Sequence, residues 1–173
     1  MMIKMSNTQN NFYLYDAIIT VRRHIYAPYL SNAKVLKQKQ IEKITECYKQ
    51  MYGDDKDLLE LVKHVDNAFR RDSTCKPYFG GEVLSAGLRS IGYNNAIVRG
   101  IIYIPPENVL IESRIVTLKE KVSTWNSEYI DPGTEIKAKL QINLPDLKTA
   151  QIYIGQKRSK GYGLTDINFL RLK

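Results

Sequence analysis

The sequence lacks any hydrophobic run long enough to cross a membrane. Its longest apolar stretches, residues 96–98 and 101–104, are far shorter than the roughly 20 residues of a transmembrane helix. Residues 1–11 are polar and have no apolar core of the kind found in a secretory signal peptide. These absences predict a protein without membrane contact, and we expect it in the cytoplasm.

Cysteine is scarce as well. Cys47 and Cys75 form no CxxC pair and have no histidine cluster nearby. Zinc sites and disulfide scaffolds need several closely spaced cysteines, so we interpret these two as reduced thiols. Neither the nucleotide-binding order GxxxxGK[ST] nor a glycine-rich turn opening a βαβ unit is present. We therefore expect no metal and no cofactor.

Positive charge is what the sequence has in excess. The 173 residues include 26 Lys and Arg against 18 Asp and Glu, which gives a formal net charge of +8. This excess favours a polyanionic partner without specifying one. Hydrophobic residues make up 43% of the chain, which is enough for a folded core, and the length fits one domain.

Hydrophobic periodicity predicts an α+β chain. In the first half we expect a strand at 12–23, a helix at 35–52 that stops at Gly53, and a second helix capped by Asp54 or Asp55 with Arg70 and Arg71 in its last turn.

The second half begins with a short helix between Gly81 and Gly92. Strands are expected at 96–104 and 109–122, joined as a protruding hairpin, and at 136–144. The segment after Pro145 fits a short helix or, because of its β-branched residues, a strand. A closing strand is expected at 164–172.

The stretch from Gly155 to Gly163 is the most informative. Three glycines allow positive φ and close approach of the backbone, and its N–H groups can line a nest for phosphate. Lys157, Arg158 and Lys160 add positive charge. An ordinary hairpin turn with solvated lysines fits the same pattern equally well.

This loop resembles the C-terminal glycine-rich loop of the RAMP superfamily of CRISPR-associated proteins. Residues 76–89 are similar to the proline–glycine turn and Leu-Arg helix of backbone-type subunits in type III effectors. Residues 131–136 resemble the Pro-x-Gly-Thr entry to the strand before the last helix of the family. The three blocks occur in the family's order and cover the second half of the chain. Residues 30–72 match no part of the family pattern.

The resemblance implies a single ferredoxin-like (RRM-like) domain over residues 1–173, modified by a helical insertion at about 33–72 and a β-hairpin thumb at about 96–122. It implies single-stranded guide RNA and other CRISPR effector subunits as partners. The residues expected to bind RNA are Gly155, Lys157, Arg158, Ser159, Lys160, Gly161, Tyr162, Gly163, Arg89, Arg22 and Arg23.

Two alternatives remain open. His24 follows the first strand and is a weak candidate for a general base in metal-independent RNA cleavage, with Lys34 or Arg23 steadying the developing charge. Target-slicing subunits of the family place an Asp in this loop, but residues 22–40 contain no Asp or Glu, which argues against slicing. The other alternative is a scaffold subunit that contacts only proteins.

Overall fold

The computed structural model describes residues 11–156 and 158–173, apart from the side chains of Leu118 and Ser159. The helices are α1 (Lys34–Tyr52), α2 (Lys56–Lys63) and α3 (Glu82–Ser90). The strands are β1 (Tyr13–Val21), β2 (Ile25–Tyr26), β3 (Arg70–Arg71), β4 (Pro77–Gly80), β5 (Val98–Arg99), β6 (Ile101–Tyr103), β7 (Val109–Leu118), β8 (Lys121–Ile130), β9 (Glu135–Ile142), β10 (Thr149–Tyr153) and β11 (Leu164–Arg171). The predicted α+β class is confirmed.

The main sheet has five strands in the order β10-β11-β1-β9-β5, and every neighbouring pair is antiparallel. Alternate residues of β1, from Tyr15 to Val21, are buried, as expected for a strand with one face on the core. Leu84 and Leu88 of α3 join them in one apolar cluster. The open question after Pro145 is decided for the strand, because β10 pairs with β11.

A second, smaller core lies beneath α1 and α2, around Ile44, Tyr48 and Val62. α1 ends at Gly53, whose φ is 72°, and the Asp55 carboxylate caps α2 by accepting the Leu58 N–H. The predicted extent of the second helix is wrong, since α2 stops at Lys63.

The helix ends there because the backbone N–H groups of residues 66–68 form hydrogen bonds outside the helix. The N–H groups of Asp66 and Asn67 donate to the Asn126 carbonyl, and the Ala68 N–H donates to Pro28. Arg70 and Arg71 therefore lie in β3 and not in a last helical turn.

The predicted hairpin over 96–122 is also wrong. β7 pairs with β8 along ten residue pairs, and Lys119 and Glu120, both at positive φ, make the turn. The segment 96–104 divides at Gly100, whose φ is 138°: β5 joins β9 and β6 joins β4. Because the strand is interrupted at this glycine, the residues before and after it pair with strands of two different sheets.

Cys47 of α1 and Cys75 form a disulfide with their Cα atoms 5.4 Å apart, so the interpretation as two reduced thiols is wrong. The Asp72 carboxylate accepts the N–H groups of Thr74 and Lys76, which shapes the turn that carries Cys75 to the helix. In the described part of the chain, no helix is both long and apolar enough to cross a membrane.

Candidate nucleic-acid interface

The loop from Gly155 to Gly163 has a backbone that strongly favours glycine at three positions. Gly155, Gly161 and Gly163 have φ values of 84°, 85° and 85°. A Cβ at Gly163 would lie 1.8 Å from the Ile154 carbonyl oxygen, and one at Gly155 would lie 2.6 Å from that of Tyr26. The loop is therefore a shaped element, and its glycines let it approach neighbouring backbone closely.

Backbone hydrogen bonds hold this loop against the segment that follows β1. The Gly163 N–H donates to the His24 carbonyl at 2.8 Å, and the Gln156 N–H donates to that of Tyr26 at 3.3 Å. In the opposite direction, Arg22 donates its N–H to the Leu164 carbonyl. These bonds bring together two basic segments that are more than 130 positions apart in sequence.

Five aromatic side chains meet where the loop contacts β2 and β8, and we call them the aromatic cluster: His24, Tyr26, Trp125, Tyr129 and Tyr162. The ring of Tyr26 lies 5.0 Å from Tyr162 and 5.5 Å from Trp125, and His24 lies 4.8 Å from Tyr129. Tyr26 is buried at the centre, and the other four rings are half-buried. The cluster therefore combines a fixed centre with ring surface that a base could reach.

Arg114 of β7 ties the hairpin to this cluster. Its guanidinium lies 5.2 Å from the ring centre of Tyr26 and 5.7 Å from that of Tyr162. It donates to the Tyr26 hydroxyl and pairs with Glu112 at 2.7 Å, and that hydroxyl in turn donates to Glu112.

The electrostatics of these groups favour a protonated tyrosine and a charged arginine. Burial and the Glu112 carboxylate raise the pKa of Tyr26 above its ordinary value. Burial opposes the charge of Arg114, but its hydrogen bond with Tyr162 leaves the pKa of Arg114 raised.

Most of the predicted cations lie at this end of the molecule. Arg22 is exposed and pairs with Asp166 at 2.6 Å, which lowers the pKa of that carboxyl. Arg23 is exposed, and its Nη1 lies 2.9 Å from where a Cβ on Gly161 would be. Arg158 and Lys160 are exposed on a single 3-10 turn within the loop. Lys157 and the side chain of Ser159 lie outside the described residues.

Arg89 is not part of this assembly. It lies in the last turn of α3, and its Nε donates to the Ala96 carbonyl at 3.0 Å. The opposite end of α3, at Glu82 and Val83, is the one that shares a cavity with Gly155. Arg89 thus stabilises the connection after its own helix.

His24 lies within the cluster, with its Nε2 3.7 Å from the Asp131 carboxylate. His64, the other histidine, pairs with Glu60 on the exposed side of α2. The described residues contain no group of three or more His, Cys, Asp or Glu placed to hold a metal ion. Cleavage by His24 stays a prediction.

Sequence reasoning missed the contribution of the hairpin. Glu112 and Arg114 lie on a hairpin arm that the sequence predicts to protrude, yet they are half-buried, and the Glu112 carboxylate accepts a hydrogen bond from Tyr26. Their spacing of two residues places both on one face of β7, and Arg114 pairs across the hairpin with Trp125. The sequence pattern did not predict β8 as a strand, so the residues that face Glu112 and Arg114 across the hairpin could not be identified.

No protein-family model matches the chain, and no curated protein matches it in sequence.

Proposed function

We propose that this protein binds single-stranded RNA at the end of the molecule formed by the glycine-rich loop and the aromatic cluster, as a guide-RNA-binding subunit of a RAMP-type CRISPR effector. One observation carries the proposal. The loop is folded by its glycines onto residues 22–26, so the exposed cations of both segments lie at the same end of the molecule as the half-buried rings.

The strand order supports the RAMP part of the proposal. Within the main sheet, β11-β1-β9-β5 follow the order last, first, third and second of a ferredoxin-like βαββαβ unit, with α3 in the first crossover. The chain departs from this unit between β9 and β11, where the second helix would come, because it forms β10 and adds a fifth strand at the edge of the sheet. The glycine-rich loop precedes the last strand of this unit, as in the family that the sequence resembles.

The chemistry of the site suits a single strand. Aromatic rings stack on bases of any identity, while a basic surface follows the phosphates. Arg23, Arg158 and Lys160 would contact phosphates, and Tyr162 and Tyr129 would offer ring surface.

The test is the salt dependence of RNA binding by the full chain. Each phosphate contact to a single strand contributes about 0.7 to the slope of log affinity against log salt. Arg158→Ala should therefore lower affinity for all sequences alike and reduce that slope by about 0.7. Lys49→Ala removes an exposed charge near the end of α1 and is the matched control.

Equal affinity and slope in the wild type and Arg158→Ala would contradict the placement of RNA at this loop. An absence of RNA binding by the wild type would favour the scaffold alternative, in which the protein contacts only other subunits.

A further inference from the structure

Two cavities adjoin between the helical insertion and the glycine-rich loop. The first, of about 380 Å³, lies between α1 and β3; the second, of about 310 Å³, lies between β4 and the loop. Arg70 and Tyr78 line both, so the two cavities are neighbours, and we call the pair the insertion groove. Each volume is in the range of roughly 300–1,000 Å³ that is typical of small-molecule sites.

The charge of the insertion groove is strongly one-sided. Lys39, Lys43 and Arg70 are exposed and line the first cavity, whose described lining contains no carboxylate. Arg71 also lines it but is already paired with Glu128. The second cavity is lined by the cation Arg158 and, among its described residues, by one carboxylate, that of Glu82.

The floor of the groove is apolar. Leu30, Ile44 and Phe69 are buried beneath the first cavity, and Phe79 is buried in the second. Tyr78, at the junction, is half-buried, and its ring packs edge-on against that of Tyr103 at 6.0 Å. Apolar pockets beneath a row of cations fit a ligand with flat apolar groups on an anionic chain.

We propose that the RNA strand bound at the glycine-rich loop continues through the insertion groove, with phosphates on Arg70, Lys43 and Lys39 and bases over the apolar floor. This inference rests on the proposed function. It gives a binding role to residues 30–72, for which the sequence resemblance offers none. Gly155 and Arg158 of the loop line the second cavity, so this cavity borders the loop.

The groove fits RNA better than an acidic protein segment. An acidic segment could pair with the cations. It would have few flat apolar groups to place over the two apolar pockets and the ring of Tyr78. A single strand supplies a base with each charge, so it meets both requirements at once.

The experiment compares two double variants of the full chain on a length series of single-stranded RNAs. Lys39→Ala/Lys43→Ala removes two groove cations, and Lys49→Ala/Lys56→Ala removes two exposed helix lysines outside both cavities. For long RNAs the groove variant should lose about 1.4 from the salt slope, and for the shortest RNAs that bind it should match the wild type. The control variant should match the wild type at every length.

The outcomes separate the inference from the proposed function. A groove variant with an unchanged slope on long RNAs, while Arg158→Ala retains its effect, would overturn the groove path and leave RNA binding at the loop intact. If neither Lys39→Ala/Lys43→Ala nor Arg158→Ala changes RNA binding, both the groove path and RNA binding at the loop are overturned. Binding of polyglutamate that Lys39→Ala/Lys43→Ala abolishes, with RNA binding unaffected, would assign the groove to an acidic protein segment and also overturn the path.

Discussion

Two constellations of the same three residue types lie on opposite sides of the β7–β8 hairpin's base. In each, a tyrosine hydroxyl donates to a glutamate, the glutamate pairs with an arginine, and the arginine lies 5–6 Å from the tyrosine ring. The two sets are Tyr26–Glu112–Arg114 at the aromatic cluster and Tyr48–Glu128–Arg71 beneath α1.

Their exposure differs sharply. The side chains of Arg71 and Glu128 are 6% and 0% exposed, whereas those of Arg114 and Glu112 are 35% and 26% exposed. Glu128 also accepts the Phe69 N–H, so its carboxylate joins α1, β3 and β8 in one network. The buried set is therefore structural, and the half-exposed set is the one that remains available to a ligand.

The largest expected effect is on the buried set. Arg71→Met leaves the Glu128 charge buried without its partner, which should cost about 3–5 kcal/mol in the free energy of unfolding. Arg114→Met is the matched control and should cost less than about 1 kcal/mol, because its pair is partly solvated. Urea unfolding measures both, and equal losses would mean that burial does not distinguish the two sets.

The disulfide beside the buried set should have the next largest effect. Cys47 and Cys75 are separated by 28 positions, and closing a loop of that length stabilises the folded state by about 3.5 kcal/mol in the chain-entropy model. Cys47→Ser/Cys75→Ser should lose this amount. Reducing agent should destabilise the wild type equally and leave the variant unchanged, whereas wild-type protein with two titratable thiols would contradict the bond.

A smaller effect concerns alkaline pH. Burial and Glu128 raise the pKa of Tyr48 above its ordinary value, so above pH of about 10 the folded state holds a proton that the unfolded state releases. Stability should be fully present below that pH and fall as the pH rises further.

Tyr48→Phe should lower stability by about 1.5–3 kcal/mol at neutral pH and weaken the alkaline loss. Tyr153→Phe, which alters an exposed tyrosine, should retain the full loss. Identical pH profiles for the two variants would show that Tyr48 does not carry the alkaline effect.

Local patterns predicted the parts of the fold that local forces determine. The pattern of apolar residues and Gly53 predicted α1, and the glycines between Gly155 and Gly163 predicted the shaped loop. The cap of α2 was narrowed to Asp54 or Asp55, of which the structure shows Asp55. Each depends on residues close together in the chain, whose conformational preferences the sequence carries directly.

The remaining parts depend on distant partners. The hairpin was assigned to the wrong strands because 96–104 is as β-prone as β7 and β8, and only the break at Gly100 sends it to other sheets. The disulfide and the Arg71–Glu128 pair join positions 28 and 57 apart, and neither has a signal in local spacing. The sequence therefore predicted the loop part of the candidate interface but not the part that the β7–β8 hairpin contributes.

Ultraviolet cross-linking of single-stranded RNA to the full chain, with mass-spectrometric mapping of the adducts, tests RNA binding at the aromatic cluster most directly. We expect adducts on the half-buried rings of Tyr162 or Tyr129 that Arg158→Ala reduces and Lys49→Ala does not. Adducts confined to tyrosines elsewhere, such as the exposed Tyr153, or no adducts at all, would contradict it.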